Sequence, residues 1–147
     1  MGYPTKKELN IIRQWDVEDD PIGLVYYVAG LWHWPDFFKY NWYKENLTKR
    51  YLLHVEAHTG GWSGNEDLIE AFNSHWLFSS LFLYQWQRGG HFWYKVSPYV
   101  AGYREPKRLA EHLGVSKQTI SKSLHNYDVV RISERRILVR QKRRSND

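Results

Sequence analysis

The sequence predicts an α+β protein, on three observations. Residues 51–58 (YLLHVEAH) and 91–96 (HFWYKV) alternate apolar and polar side chains, the period of a half-buried strand. Between them Leu68, Phe72, Trp76, Leu83 and Trp86 fall along one broad helical face. Residues 106–125 (PKRLAEHLGVSKQTISKSLH) read as two short helices about a tight turn, and two β-rich runs follow them. The expected architecture is an aromatic-rich N-terminal unit, 1–98, in which an antiparallel sheet of three strands or fewer packs on a long central helix. A second unit, 99–147, follows.

Length and composition bound what such a chain does. At 147 residues, with 42% hydrophobic and 25% charged residues, it holds one domain or two small ones and can bury a real core. The absence of cysteine excludes a disulfide scaffold, a thiolate zinc site and a cysteine nucleophile, and fits a reducing cytoplasm. Residues 1–14 lack the apolar run of a signal peptide, and the longest apolar stretch, 76–86, falls short of a membrane span. A cytoplasmic protein without a membrane partner is expected. Charge and aromatics are unevenly spread: residues 1–102 hold nine Lys and Arg against eleven Asp and Glu, whereas 103–147 hold twelve against five. All eight Trp lie in the first part. Pro98 and Gly102 supply the turn chemistry of a junction.

In the first unit, residues 22–34 are expected to form a helix that Pro35 ends. Beyond it Phe38, Trp42 and Tyr43 suit a second helix or a strand equally. Residues 51–58 form a strand with Leu53, Val55 and Ala57 on one face and His54, Glu56 and His58 on the other. Alternate residues of a strand stand about 7 Å apart, so those three, with His91 as a fourth, are candidate metal ligands for a hydrolase. A polar outer strand face is the favoured reading, and no metal or other cofactor is expected. The loop at 59–65 (TGGWSGN) leads into a helix over 66–87, with Ser63 and Glu66 spaced as a capping box and Arg88-Gly89-Gly90 as its C-terminal stop. The loop lacks a phosphate-binding lysine, and Glu66 and Asp67 would repel an anion. If the strands on either side pair, Trp62, Arg88 and His91 converge as a small polar and aromatic site; the alternative is that Trp62 covers the core and the glycines only make turns. The motifs TGGWSGNE at 59–66 and RGGHFWYKV at 88–96 resemble a set of small phage and prophage proteins, which implies a phage context, hence a host cytoplasm, and no particular chemistry.

In the second unit Leu109, Leu113, Val115 and Ile120 are spaced for burial, Ala110 is small, Gly114 stands where a helix ends, and Ser116 can cap a second helix over 117–126. These residues resemble the helix-turn-helix family of DNA-binding regulators, with one departure: Ser123 stands where an aliphatic is usual, leaving that packing to Leu124. The resemblance implies that Lys117, Gln118, Thr119, Ser121 and Lys122 face a DNA groove. Residues 129–132 and 137–140 read as a hairpin. After such a helix it resembles the wing of winged helix-turn-helix proteins, with Arg135 and Arg136 at its tip reaching DNA. Arg140, Lys142, Arg143 and Arg144 would add a basic arm. The usual first helix is missing from 99–105, so the first unit would have to complete the core.

The expected function is sequence-specific binding of double-stranded DNA by a homodimer, as a phage transcriptional repressor and not an enzyme. Two alternatives stand beside it. In one, the N-terminal unit inhibits a host defence nuclease, an arrangement resembling some anti-CRISPR proteins; in the other, the protein is the metal-dependent hydrolase.

Overall fold

Each helix near the N-terminus is started by a side chain that occupies an orphan backbone amide. The computed structural model describes residues 2–142 and divides into two compact units, 1–101 and 102–147. Helix α1 (Lys6–Arg13) opens on a capping box: the Thr5 hydroxyl accepts from the Glu8 N–H at 3.1 Å, and the Glu8 carboxylate accepts from the Thr5 N–H at 2.8 Å. Helix α2 (Pro21–Leu31) has Pro21 at its first position and the Asp20 carboxylate on the Gly23 N–H at 2.9 Å. It is shorter than the 22–34 span expected. Trp32 leaves the helix for extended backbone, buries its ring against Phe38 and donates its indole N–H to the His58 carbonyl.

The stretch after Pro35, open between helix and strand, is strand β1 (Phe38–Lys44). It pairs antiparallel with β2 (Tyr51–His58), Phe38 opposite Ala57 and Lys44 opposite Tyr51. Helix α3 (Ser63–Asn73) is followed by a π-helical segment, Leu77–Phe82, then β3 (Leu83–Gln87) and β4 (His91–Val96). The four-stranded sheet runs β1-β2-β4-β3, all pairs antiparallel.

This corrects four expectations. The single helix over 66–87 does not form: the Ser74 hydroxyl donates to the Ala71 carbonyl at 2.6 Å, His75 turns its ring to the Ile12 carbonyl, and the chain widens before becoming a strand. The sheet therefore has four strands instead of three or fewer, and Arg88-Gly89-Gly90 turns the β3–β4 hairpin rather than stopping a helix. Gly89 and Gly90, at φ 93° and 82°, supply the left-handed backbone that turn requires. Nor does Ser63 cap α3. Trp62 is the N-cap residue without a side-chain bond, and the loop is pinned instead by the buried Asn65 carboxamide, which accepts from the His33 N–H and donates to the His33 and Thr59 carbonyls.

One face of the sheet carries Leu53, Val55, Ala57, Tyr94 and Val96, all buried with Leu24, Val25 and Val28 of α2 and Leu68 and Phe72 of α3. Phe72 meets Phe78 at 4.1 Å and Tyr94 at 5.2 Å between ring centres.

In unit 2, helix α4 (Pro106–Leu113) ends at Gly114, which is left-handed at φ 70°, and Ser116 caps α5 (Lys117–Lys122) by accepting from the Thr119 N–H at 3.1 Å. The second helix stops at Lys122, short of the expected 126. Ser123 bonds back to the Thr119 carbonyl at 2.7 Å, and a 3₁₀ turn, Leu124–Asn126, runs into β5 (Tyr127–Arg131). Strand β6 (Ile137–Gln141) pairs antiparallel with β5 on one side and with Arg104 on the other, making it the middle of a three-chain arrangement. Leu109, Ala110, Ile120 and Val139 form the core, flanked by Leu113, Leu124, Tyr127 and Ile137. Val115, expected inside, is 39% exposed: only its backbone is tied back, N–H to the Ala110 carbonyl.

Candidate nucleic-acid interface

Each residue chosen from the sequence for DNA contact on α5 is exposed: Lys117, Gln118, Thr119, Ser121 and Lys122. Ile120 is the anchor, fully buried in mid-helix, which turns its polar neighbours outward. The row is held at its start by the Ser116 cap, whose hydroxyl also lies 2.9 Å from that of Thr119. Arg135 and Arg136 are exposed in the turn between β5 and β6. Arg131, which the sequence reading passed over, braces that turn by donating to the Ser133 and Glu134 carbonyls. Arg143 lies outside the described residues, as does Arg144.

Arg140 does not belong to a basic arm. It is 8% exposed, donates Nε–H to the Asp128 carboxylate at 2.9 Å, and holds its guanidinium 4.5 Å from the centre of the Tyr103 ring. It joins the two strands. The sequence did not show this pair: runs at 129–132 and 137–140 set Val129 opposite Arg140, whereas the actual register, Arg131 opposite Ile137, sets Asp128 there.

In unit 1 the face of the sheet away from the core is open and polar. It brings together Lys39, Asn41 and Tyr43 from β1, His54, Glu56 and His58 from β2, and His91, Trp93 and Lys95 from β4, none of them buried. A bulge in β3 adds Tyr84: Leu83 pairs with Tyr94 and Gln85 with Trp93, so Tyr84 is the extra residue. Its hydroxyl meets His54 Nε2 at 2.5 Å, and Lys95 Nζ lies 4.8 Å from its ring centre. Burial pushes the Tyr84 hydroxyl up from its ordinary value and His54 down from its own, the latter helped by Lys95 and opposed by Glu56. The Trp93 indole donates to Glu56 at 2.9 Å and, more than the neighbouring His58 Nε2 at 3.3 Å, holds that carboxyl below the usual range against the opposing effect of burial. At one end a groove of about 340 Å³ is lined by Asn41, Tyr43, Asn46, His54 and Lys95, together with Lys44 and Glu45.

The set Trp62, Arg88 and His91 does not come together. Trp62 stacks between Tyr3 and His33, with ring centres 4.8 and 4.4 Å away; His91 meets His58, Nδ1 to Nδ1, at 2.6 Å; and Arg88 is exposed in the β3–β4 turn. Of the four candidate ligands, His54 meets Tyr84, Glu56 meets Trp93 and His58, and His58 meets His91. Among the described residues no group of three or more His, Cys, Asp or Glu is arranged to hold a metal ion. No helix among them is long and apolar enough to cross a membrane. No family model matches this chain, and neither a curated protein nor a solved structure does.

Proposed function

We propose that the protein binds double-stranded DNA through unit 2, used as a winged helix-turn-helix, and acts as a transcriptional regulator. The observation that carries this reading is the exposed row Lys117, Gln118, Thr119, Ser121 and Lys122 around a buried Ile120, in a helix set by a left-handed Gly114 and a Ser116 cap. Lysines at both ends of the row neutralise phosphates and fix register, while Gln118 and the hydroxyls between them can read base edges. The β5–β6 ribbon then presents Arg135 and Arg136, suited to a neighbouring phosphate run or minor groove. Because α5 has only six residues, one copy spans few base pairs, and useful specificity calls for two copies on half-sites about one helical turn apart.

The test is a salt series on duplex DNA from upstream of the coding sequence. Lys117→Ala with Lys122→Ala should weaken binding and lower the slope of log affinity against log salt by about two, one phosphate for each lysine, with the fold intact. An unchanged affinity and slope would overturn the assignment.

A further inference from the structure

We propose that the open face of the unit 1 sheet binds single-stranded nucleic acid, independently of the duplex-binding role of unit 2. Charge is sorted between the layers of unit 1. The strands and their turns, 38–58 and 83–96, carry Lys39, Lys44, Lys49, Arg50, Arg88 and Lys95 against Glu45 and Glu56, whereas the rest of the unit holds three basic residues against nine acidic ones. A unit acidic in sum thus has a basic sheet layer, with Lys39 and Lys95 against Glu56 on the open face itself and the other cations at its turns and edge, a layout that draws a polyanion toward the strands.

The chemistry of the face selects what kind of polyanion. Tyr43, Tyr84 and Trp93 lie on it among the imidazoles, and two of the rings are fixed by hydrogen bonds at their polar edges, Tyr84 to His54 and Trp93 to Glu56. Edge bonds hold a ring in place without using its faces; Tyr84 is 46% exposed, with Lys95 Nζ over one side of its ring at 4.8 Å from the centre. Duplex DNA hides the faces of its bases, so flat rings on a sheet favour unpaired bases, with Lys39 and Lys95 beside them for the phosphates. The groove beside Lys95 extends the same surface. The Tyr43 hydroxyl in its wall is buried and has no hydrogen-bond partner, and Asn41 and Asn46 add amide groups. At about 340 Å³ the groove has room for a base.

The experiment measures fluorescence anisotropy of the full chain with labelled oligo-dT and oligo-U of about 12 nucleotides, at about 50 mM salt, beside a duplex. Saturable binding of an oligomer is expected, and the two oligomers distinguish DNA from RNA. Tyr84→Ala with Lys95→Ala should weaken it about ten-fold or more, Tyr84→Phe should keep it, and neither change should alter duplex binding. Lys117→Ala with Lys122→Ala should leave oligomer binding in place, so that failure of this proposal and failure of the duplex reading are read separately. Absence of saturable binding to either oligomer would overturn the proposal and leave the face to a protein partner. Equal binding by Tyr84→Ala with Lys95→Ala, or loss only in the Lys117 and Lys122 variant, would overturn it as well.

Discussion

Unit 1 joins nineteen buried residues in one aromatic-rich core, whereas the cluster at the centre of unit 2 joins Leu109, Ala110, Ile120 and Val139. The first is held by burial of rings as large as Trp32, Phe72 and Tyr94. The second, which also buries Leu138 and Tyr103, has less apolar surface and relies more on local devices: a left-handed glycine, a serine cap, the Arg104–Val139 bridge and the Arg140–Asp128 ion pair. A small unit that presents most of its length as polar surface gives up core in exchange. Its shape is set locally, and each local device matters more there than in the larger unit.

The largest effect that would test this contrast is Phe72→Ala. Removing a fully buried ring packed on Phe78 and Tyr94 should cost about 3–5 kcal/mol, read as a large fall in the urea midpoint of tryptophan fluorescence. Since all eight Trp precede residue 102, that signal reports unit 1. A loss below about 1 kcal/mol would mean that the core is not organised around this ring. Next is Ile120→Ala, expected to cost about 2–4 kcal/mol and to abolish amide protection at Leu138 and Val139 by hydrogen exchange, while the fluorescence midpoint stays in place. If that midpoint moves with it, the two units fold as one and the contrast fails.

The smallest effect is on pH. His54 titrates below its ordinary 6.5, and Glu56 below its ordinary 4.5. Each contributes stability that is present above its unfolded value and lost as pH falls through its lowered folded value, because the unfolded chain takes up the proton first. The fluorescence midpoint should therefore fall between about pH 7 and pH 4. A midpoint that holds or rises over that range would contradict the environments described for the two groups.

Much of the fold was legible where side-chain period and local chemistry agree. Strands β2 and β4 show in their alternation because one face of each is buried and the other open. Helix α4, the Gly114 turn and the Ser116 cap show because each needs a particular residue at a particular place. The stretch at 66–87 misleads because it is apolar on nearly every side, so it carries both a helical stripe and, in Leu83 to Gln87, an alternation that fits β3. What ends α3 is a pairing of His75 with Ile12, distant in sequence and invisible to local pattern. Helix α1 was missed although Thr5 and Glu8 have capping-box spacing. Of the site, the polar row of α5 came from the resemblance of residues 106–125 to helix-turn-helix proteins, and its exposure follows from the burial of Ile120. The open face of unit 1 could not be read from the sequence, because it depends on which strand lies beside which and on a bulge that adds Tyr84.

Two imidazoles meeting nitrogen to nitrogen at 2.6 Å share a single proton. His58 also turns its Nε2 to the Glu56 carboxylate at 3.3 Å, so carboxylate and both rings form one chain of contacts across two strands. Gly89 stands beside His91 Nε2, where even a methyl group would come to 3.3 Å. Strand register thus couples the two rings: because His58 and His91 fall directly opposite each other, the proton one ring holds at their contact is one the other cannot hold there.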